Sequence, residues 1–153
     1  MAEETHTALL WQAQAQQEIA RILAVLGEVT TGGIVERIEH TGATSVPGLP
    51  GTPPLDLALS VVPFPVDAAQ LDALDYLLTS ESNQFEQRAL HRSGRFQLFI
   101  SEAGSDEWTN HLLVRDFLRH DEQARQRFAT YKVEATAGAG EQGKDAFFAQ
   151  LLQ

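Results

Sequence analysis

The chain has 153 residues, no cysteine and a formal net charge of −10 at pH 7. That length suits one domain, residues 1–153, with a sizeable core. The absence of cysteine excludes disulfides, thiolate zinc sites and cysteine nucleophiles, and the acidic balance argues against non-specific binding to nucleic acid or to an anionic membrane surface, both of which need a basic face.

No apolar run is long enough for a membrane span. The acidic, polar start Met1-Ala2-Glu3-Glu4 lacks the basic and apolar regions of a secretory signal, so the expected location is cytoplasmic. Residues from about Thr5 to Gly27 read as a helix, because Trp11, Ala15, Ile19, Ile22 and Leu26 recur near helical spacing and Gly27 supplies a stop. Thr30-Thr31-Gly32-Gly33 reads as a turn, and Ile34 to His40 as a strand with charge on both faces. The following loop, Thr41 to Pro54, holds Pro47, Pro50, Pro53 and Pro54 together with Gly42, Gly48 and Gly51; fixed proline φ makes it stiff. Leu55 to Val62 is an apolar run bounded by prolines, the pattern of a buried central strand.

Asp56 is the single acid of that run. An acid in such a strand requires a partner or a cation. The small residues Gly42-Ala43-Thr44-Ser45 just before it can bring backbone N–H groups and hydroxyls up to a phosphate, and Asp56 can hold a metal ion against the same phosphate. The other reading is a Pro/Gly turn between two core strands, with Asp56 capping or pairing. His40, at the strand end, either packs or supports Asp56 or a ligand.

Val66 to Leu78 is predicted to be a second helix, with Ala68, Leu71, Leu74 and Leu78 on one side. Two strands near Phe85–His91 and Arg95–Ser101 form a hairpin through Arg92-Ser93-Gly94. Ser105, backed by Asp106 and Glu107, starts a helix that carries Trp108, a core residue, and then Leu112, Arg115, Leu118 and Arg119. A further helix begins near Asp121 with Ala124, Phe128 and Tyr131. Ala135 to Gly143 reads as a linker. A last helix holds Phe147, Phe148, Leu151 and Leu152, an apolar segment suited to packing within the chain or against a second subunit of an oligomer. This order predicts an α/β protein, α+β in detail, with a mixed β-sheet flanked by helices rather than a regular βαβ alternation.

The basic residues are nine Arg and two Lys. His91, Arg92 and Arg95 sit together at the hairpin, either as a small anion site or as a solvated tip. Arg115 and Arg119 share one helix face with Asp116 beside them; such a pair binds phosphate, or pairs with acids and ties its helix to the sheet. Lys144 near a helix start opposes the helix dipole and calls for an acid or a phosphate partner.

Four anchors in order resemble the GrpB family. They are Ile38-Glu39-His40-Thr41-Gly42-Ala43-Thr44-Ser45-Val46-Pro47-Gly48-Leu49; Pro54-Leu55-Asp56-Leu57; Glu107-Trp108 with His111-Leu112-Leu113-Val114-Arg115-Asp116-Phe117-Leu118-Arg119; and Gly143-Lys144-Asp145-Ala146-Phe147-Phe148. The resemblance implies a nucleotidyltransferase-like fold, in which a small-residue loop holds a nucleotide triphosphate and acids on the following strands hold magnesium. It implies Gly42, Thr44 and Ser45 as the phosphate loop and Asp56 as the catalytic metal ligand. The chain departs from the pattern at Ala43, where the family has serine, and at Ala58, where the superfamily has its second acid. It departs again at Thr52, often basic, and at Gln97-Leu98-Phe99-Ile100, which aligns with H-L-H-V. Glu86 is the alternative second metal ligand if its strand lies beside Asp56.

One carboxylate does not hold two hard cations, which need several oxygens each. The expectation is therefore a degenerate nucleotidyltransferase-type cleft that binds a nucleotide or other phosphorylated small molecule with weak or no catalysis and holds Mg2+ weakly. Arg92, Arg115, Arg119 and Lys144 would be its cationic contacts, with His40 and Asp116 in support. The alternatives are an active magnesium-dependent nucleotidyltransferase using Asp56 and the 42–45 loop, and a structural or interaction domain with a vestigial cleft.

Overall fold

The structure is a computed structural model that describes residues 2–27, 29–30, 33–49, 53–64, 69–79 and 88–135. In chain order the elements are α1 (Ala2–Leu26), β1 (Val29–Thr30), β2 (Gly33–Thr41), a 3-10 helix (Ala43–Ser45), β3 (Leu55–Val62), a second 3-10 helix (Ala69–Leu74), β4 (Leu77–Leu78), β5 (Arg88–Arg92), β6 (Phe96–Glu102), α2 (Asp106–His120) and α3 (Glu122–Ala135). Among the described residues one mixed sheet of six strands runs in the order β1-β2-β3-β6-β5-β4. Its central pair, β3 and β6, is parallel, and every other pairing is antiparallel. The α/β expectation and the β5–β6 hairpin hold. Ser93 closes that hairpin, its N–H donating to Phe96 O at 2.9 Å and its hydroxyl accepting from Phe96 N at 3.2 Å.

Side chains alternate across a strand, and β3 uses this to separate two environments. Leu55, Leu57, Leu59 and Val61 pack with Leu98 and Ile100 of β6 against Ala15, Ile19, Ile22 and Leu26 of α1. These four α1 positions follow the helical period of the sequence, which is why α1 forms as one long element and lies on this face. The other face of β3 carries Asp56, Ala58 and Ser60 and is covered by α2. The His111 ring of α2 lies 4.7 Å from that of Phe99, and Arg37 stands 5.6 Å from the centre of the Trp108 ring. Trp108 is buried, as expected. Ser105 caps α2, accepting from Trp108 N at 3.3 Å, and Asp121 accepts from Ala124 N at 2.9 Å at the start of α3.

One predicted element is corrected. Within the described residues the 66–78 segment is not an α-helix but a 3-10 helix over Ala69–Leu74, followed by Asp75 at φ 65° and the short strand β4. Tertiary contacts override the helical spacing here. Tyr76 N donates to Leu71 O at 3.2 Å, which turns the chain. The Tyr76 hydroxyl then donates to Glu18 of α1 at 2.6 Å, with both side chains buried. Continuing the helix would lose that buried pair. Glu86, Lys144, the 135–143 linker beyond Ala135 and the helix around Phe147–Leu152 lie outside the described residues.

Candidate functional site

The loop after β2 is held by a small core of its own. Ala43, Val46 and Leu49 pack against Val114 and Leu118 of α2 and Ala124 and Phe128 of α3. This apolar anchoring, rather than proline alone, fixes where Gly42 sits. Gly42 adopts φ 72°, a conformation that L side chains rarely take. A Cβ there would also fall 3.0 Å from Asp56 Cγ and closer still to Oδ2. The Asp56 carboxylate therefore lies directly against the Gly42 backbone, so the loop and the acid meet as the sequence suggested.

Register places Asp56 in a row that crosses the sheet. Thr41 of β2 pairs with Asp56, Asp56 with Gln97 of β6, and Gln97 with Arg92 of β5. Residues paired in register share a face, so this polar row lies on the α2 side. Gln97 Oε1 is buried without a hydrogen-bond partner. Two rows further along, Ser60 and Ser101 are also paired in register, buried, and have hydroxyls without a partner. Between them lie Ala58 and Phe99.

His40 pairs with Leu57, not with Asp56, and so belongs to the opposite face. Its Nε2 lies 2.8 Å from the Thr44 hydroxyl. Burial, followed by the charges of Arg119 and Arg115, lowers its pKa to about 4, so the ring is neutral at pH 7. His91 shares that face through its pairing with Leu98. It is buried rather than at a solvated tip, and burial lowers its pKa against the pull of Asp72.

The loop hydroxyls bond within the loop. The Ser45 hydroxyl donates to Gly42 O at 2.6 Å, and Thr44 is engaged by His40. The two α2 arginines reach the backbone on either side of Gly42. Arg115 Nη1 donates to Glu39 at 3.3 Å and to His40 O at 3.4 Å, and its Nε donates to Asp116 at 2.9 Å. Arg119 Nε donates to Ser45 O at 3.0 Å. Burial and the neighbouring Arg115 lower the Arg119 pKa, against Asp116 and Glu39. Of the two roles open to this helix face, tying α2 to the sheet and loop is the one these contacts perform. Among the described residues no group of three or more His, Asp or Glu side chains converges to hold a metal ion, and no helix is long and apolar enough to cross a membrane.

Sequence reasoning passed over Ser60 and Ser101 and missed the Glu18–Tyr76 pair. A serine in an apolar strand gives no sign of being unpartnered, and the Glu18–Tyr76 contact spans 58 residues of chain.

Fold and site together define a mixed-sheet α/β protein with a glycine turn closed onto a single strand carboxylate. The family model described as GrpB protein matches residues 5–153, and the chain belongs to the GrpB family. UPF0157 protein BH1888 of Halalkalibacterium halodurans is 30% identical over 127 residues, which are 80% of this chain and 63% of that protein; the chain thus spans under two thirds of that relative's length. The crystal structure of the conserved protein GrpB from Enterococcus faecalis superposes with a TM-score of 0.67 at 22% identity, covering 92% of this chain and 88% of that one, a likeness of fold.

Proposed function

We propose that the chain binds a nucleotide or another phosphorylated small molecule in a reduced nucleotidyltransferase-type cleft, with weak or no catalysis. The observation that carries this reading is the Asp56 carboxylate seated against the Gly42 backbone, in one row with Gln97 and Arg92. The atoms nearest the Gly42 Cβ position are those of Asp56 itself, and an arginine in the same row suits bidentate contact with a phosphate. Asp56 would hold a magnesium ion, which when bound offsets phosphate charge. The residue two positions on is Ala58, buried and without a ligating atom, so a two-cation transfer site is not favoured.

Within this reading Arg115 and Arg119 act through the loop, keeping Gly42 in place by way of the His40 and Ser45 carbonyls. Ser45 spends its proton on Gly42 O, so its hydroxyl does not donate to a ligand without breaking the turn.

The test is thermal unfolding of the full chain with each nucleoside triphosphate, with and without Mg2+. A ligand at about 100 times its Kd stabilises by roughly 2.7 kcal/mol, a shift of about 5–11 °C for a domain of this size. The expected result is a shift that Mg2+ enlarges and that loses its Mg2+ dependence in Asp56→Ala. No shift with any triphosphate, with or without metal, overturns the reading and leaves the interaction-domain alternative. Metal-dependent product formation from labelled triphosphate would instead establish the enzyme.

A further inference from the structure

We infer that Gln97 supplies the second protein oxygen of a site for one divalent cation, its amide oxygen acting beside the Asp56 carboxylate. The inference deepens the proposed function and rests on it for the ligand, but not for the cation.

Three observations carry it. Asp56 and Gln97 are register partners on the parallel strands β3 and β6, so their side chains rise from the same face next to each other. Gln97 Oε1 is buried and has no hydrogen-bond donor. An acceptor in that condition is an unmet cost in the folded chain, and a donor or a cation meets it. The Asp56 carboxylate alongside makes a cation the better complement, because a carboxylate and an amide carbonyl are both hard oxygen ligands of the kind Mg2+ and Mn2+ take.

The charge of the row explains how such a site would behave. One carboxylate, one neutral amide and one dication leave a net charge of +1, and Arg92 beyond Gln97 in the same row raises it. Two protein oxygens also fall short of an octahedral shell. A cation held this way is weak alone and is completed by water and by an anionic ligand. A phosphate supplies both the missing oxygens and the missing charge. Gln97 thus makes a single-cation site out of a position where a two-carboxylate site is absent.

The test uses Mn2+ as the probe, followed by the loss of its free-ion electron paramagnetic resonance signal on titration with the full chain. Wild type is expected to bind one Mn2+ with a Kd on the order of 1 mM, the weak end for oxygen-ligand sites. Gln97→Leu, which keeps the bulk and removes the oxygen, should weaken binding about tenfold, and Gln97→Glu, which adds a carboxylate, should tighten it about tenfold, since ligand charge sets affinity at such sites. Asp56→Asn should abolish it. Circular dichroism and the unfolding midpoint in metal-free buffer report whether each variant is folded.

Wild type without Mn2+ binding, or Gln97→Leu binding Mn2+ as wild type does, overturns the inference. So does a Gln97→Glu variant that is more stable in metal-free buffer with unchanged Mn2+ affinity, because the carboxylate would then be pairing with Arg92. Failure here is separable from failure of the nucleotide reading. A triphosphate shift that is indifferent to metal keeps the nucleotide and removes the cation, whereas Mn2+ bound through Gln97 with no triphosphate shift does the reverse.

Discussion

Leu55, Leu57, Leu59 and Val61 leave β3 on one side; Asp56, Ala58 and Ser60 leave it on the other. The first set is closed and apolar under α1. The second meets α2 with a carboxylate, a buried methyl and a hydroxyl, and β6 continues it with Gln97, Phe99 and Ser101. Both faces are covered by a helix, so burial alone does not distinguish them. What differs is satisfaction. Among the described residues the α1 face includes one buried acid, Glu18, and that acid accepts from Tyr76 and from Arg21 at 2.7 Å. The α2 face retains, among the described residues, three buried oxygens with no donor, on Ser60, Gln97 and Ser101. A fold tolerates such groups where something else uses them, and the α2 face is where the loop, the acid and the arginines converge. One face of the strand builds stability, and the other holds the candidate site.

The largest effect should come from the closed face. Leu59 is fully buried, and Leu59→Ala removes its contacts and leaves a cavity, at a cost of about 2–5 kcal/mol in chemical denaturation. Cation or nucleotide binding by the fraction that remains folded should be unchanged. If the variant costs less than about 1 kcal/mol, the α1 face is not the stabilising core.

A smaller effect is set by pH. His40 is neutral in the fold, with its pKa lowered from 6.5 to about 4 by burial first and by Arg119 and Arg115 second. The unfolded chain takes up this proton near pH 6.5 and the folded chain does not until about pH 4. Between those values the unfolded state binds more protons, so stability is complete above pH 6.5 and falls as pH is lowered toward 4. The shift corresponds to at most about 3 kcal/mol. The carboxylates Glu39 and Asp116 face the same arginines, so the quantity to measure is a difference between variant and wild type. His40→Gln should flatten the urea-derived stability between pH 6.5 and pH 4 relative to wild type. Equal slopes in the two proteins would mean that His40 already carries its proton in the fold.

The sequence made the α1 face legible and the α2 face only partly so, for a physical reason. Apolar periodicity in α1 and alternation in β3 report burial directly, and both elements fall where the pattern puts them. The Gly42–Asp56 corner was readable because small residues and a lone acid in an apolar strand are both expensive unless used. Which groups face one another was not readable. His40 and Asp56 sit at the facing ends of paired strands, yet a register of one residue separates them onto opposite faces, as period-two geometry demands. Arg115 and Arg119 were visible as a pair, but not that the His40 and Ser45 carbonyls are among their partners, since carbonyls carry no residue identity. The 66–78 segment failed because Leu71, Leu74 and Leu78 fit a helix equally well, and the turn is decided by Tyr76 reaching Glu18 across the fold.

The smallest effect is also the most discriminating between the two faces. Ser60→Ala deletes a buried hydroxyl that has no partner, so the variant should be as stable as wild type or more stable by up to about 1 kcal/mol, because an unsatisfied polar group is removed and little volume is lost. Ser101→Ala should behave the same way. The two hydroxyls are neighbours in register but do not bond each other, so the double variant should equal the sum of the singles. A loss of 1 kcal/mol or more in each single, with a double variant costing no more than either, would show both hydroxyls serving one shared guest, such as a water held between them under α2. The α2 face would then be satisfied by solvent rather than left open, and the contrast with the α1 face would narrow to Gln97 alone.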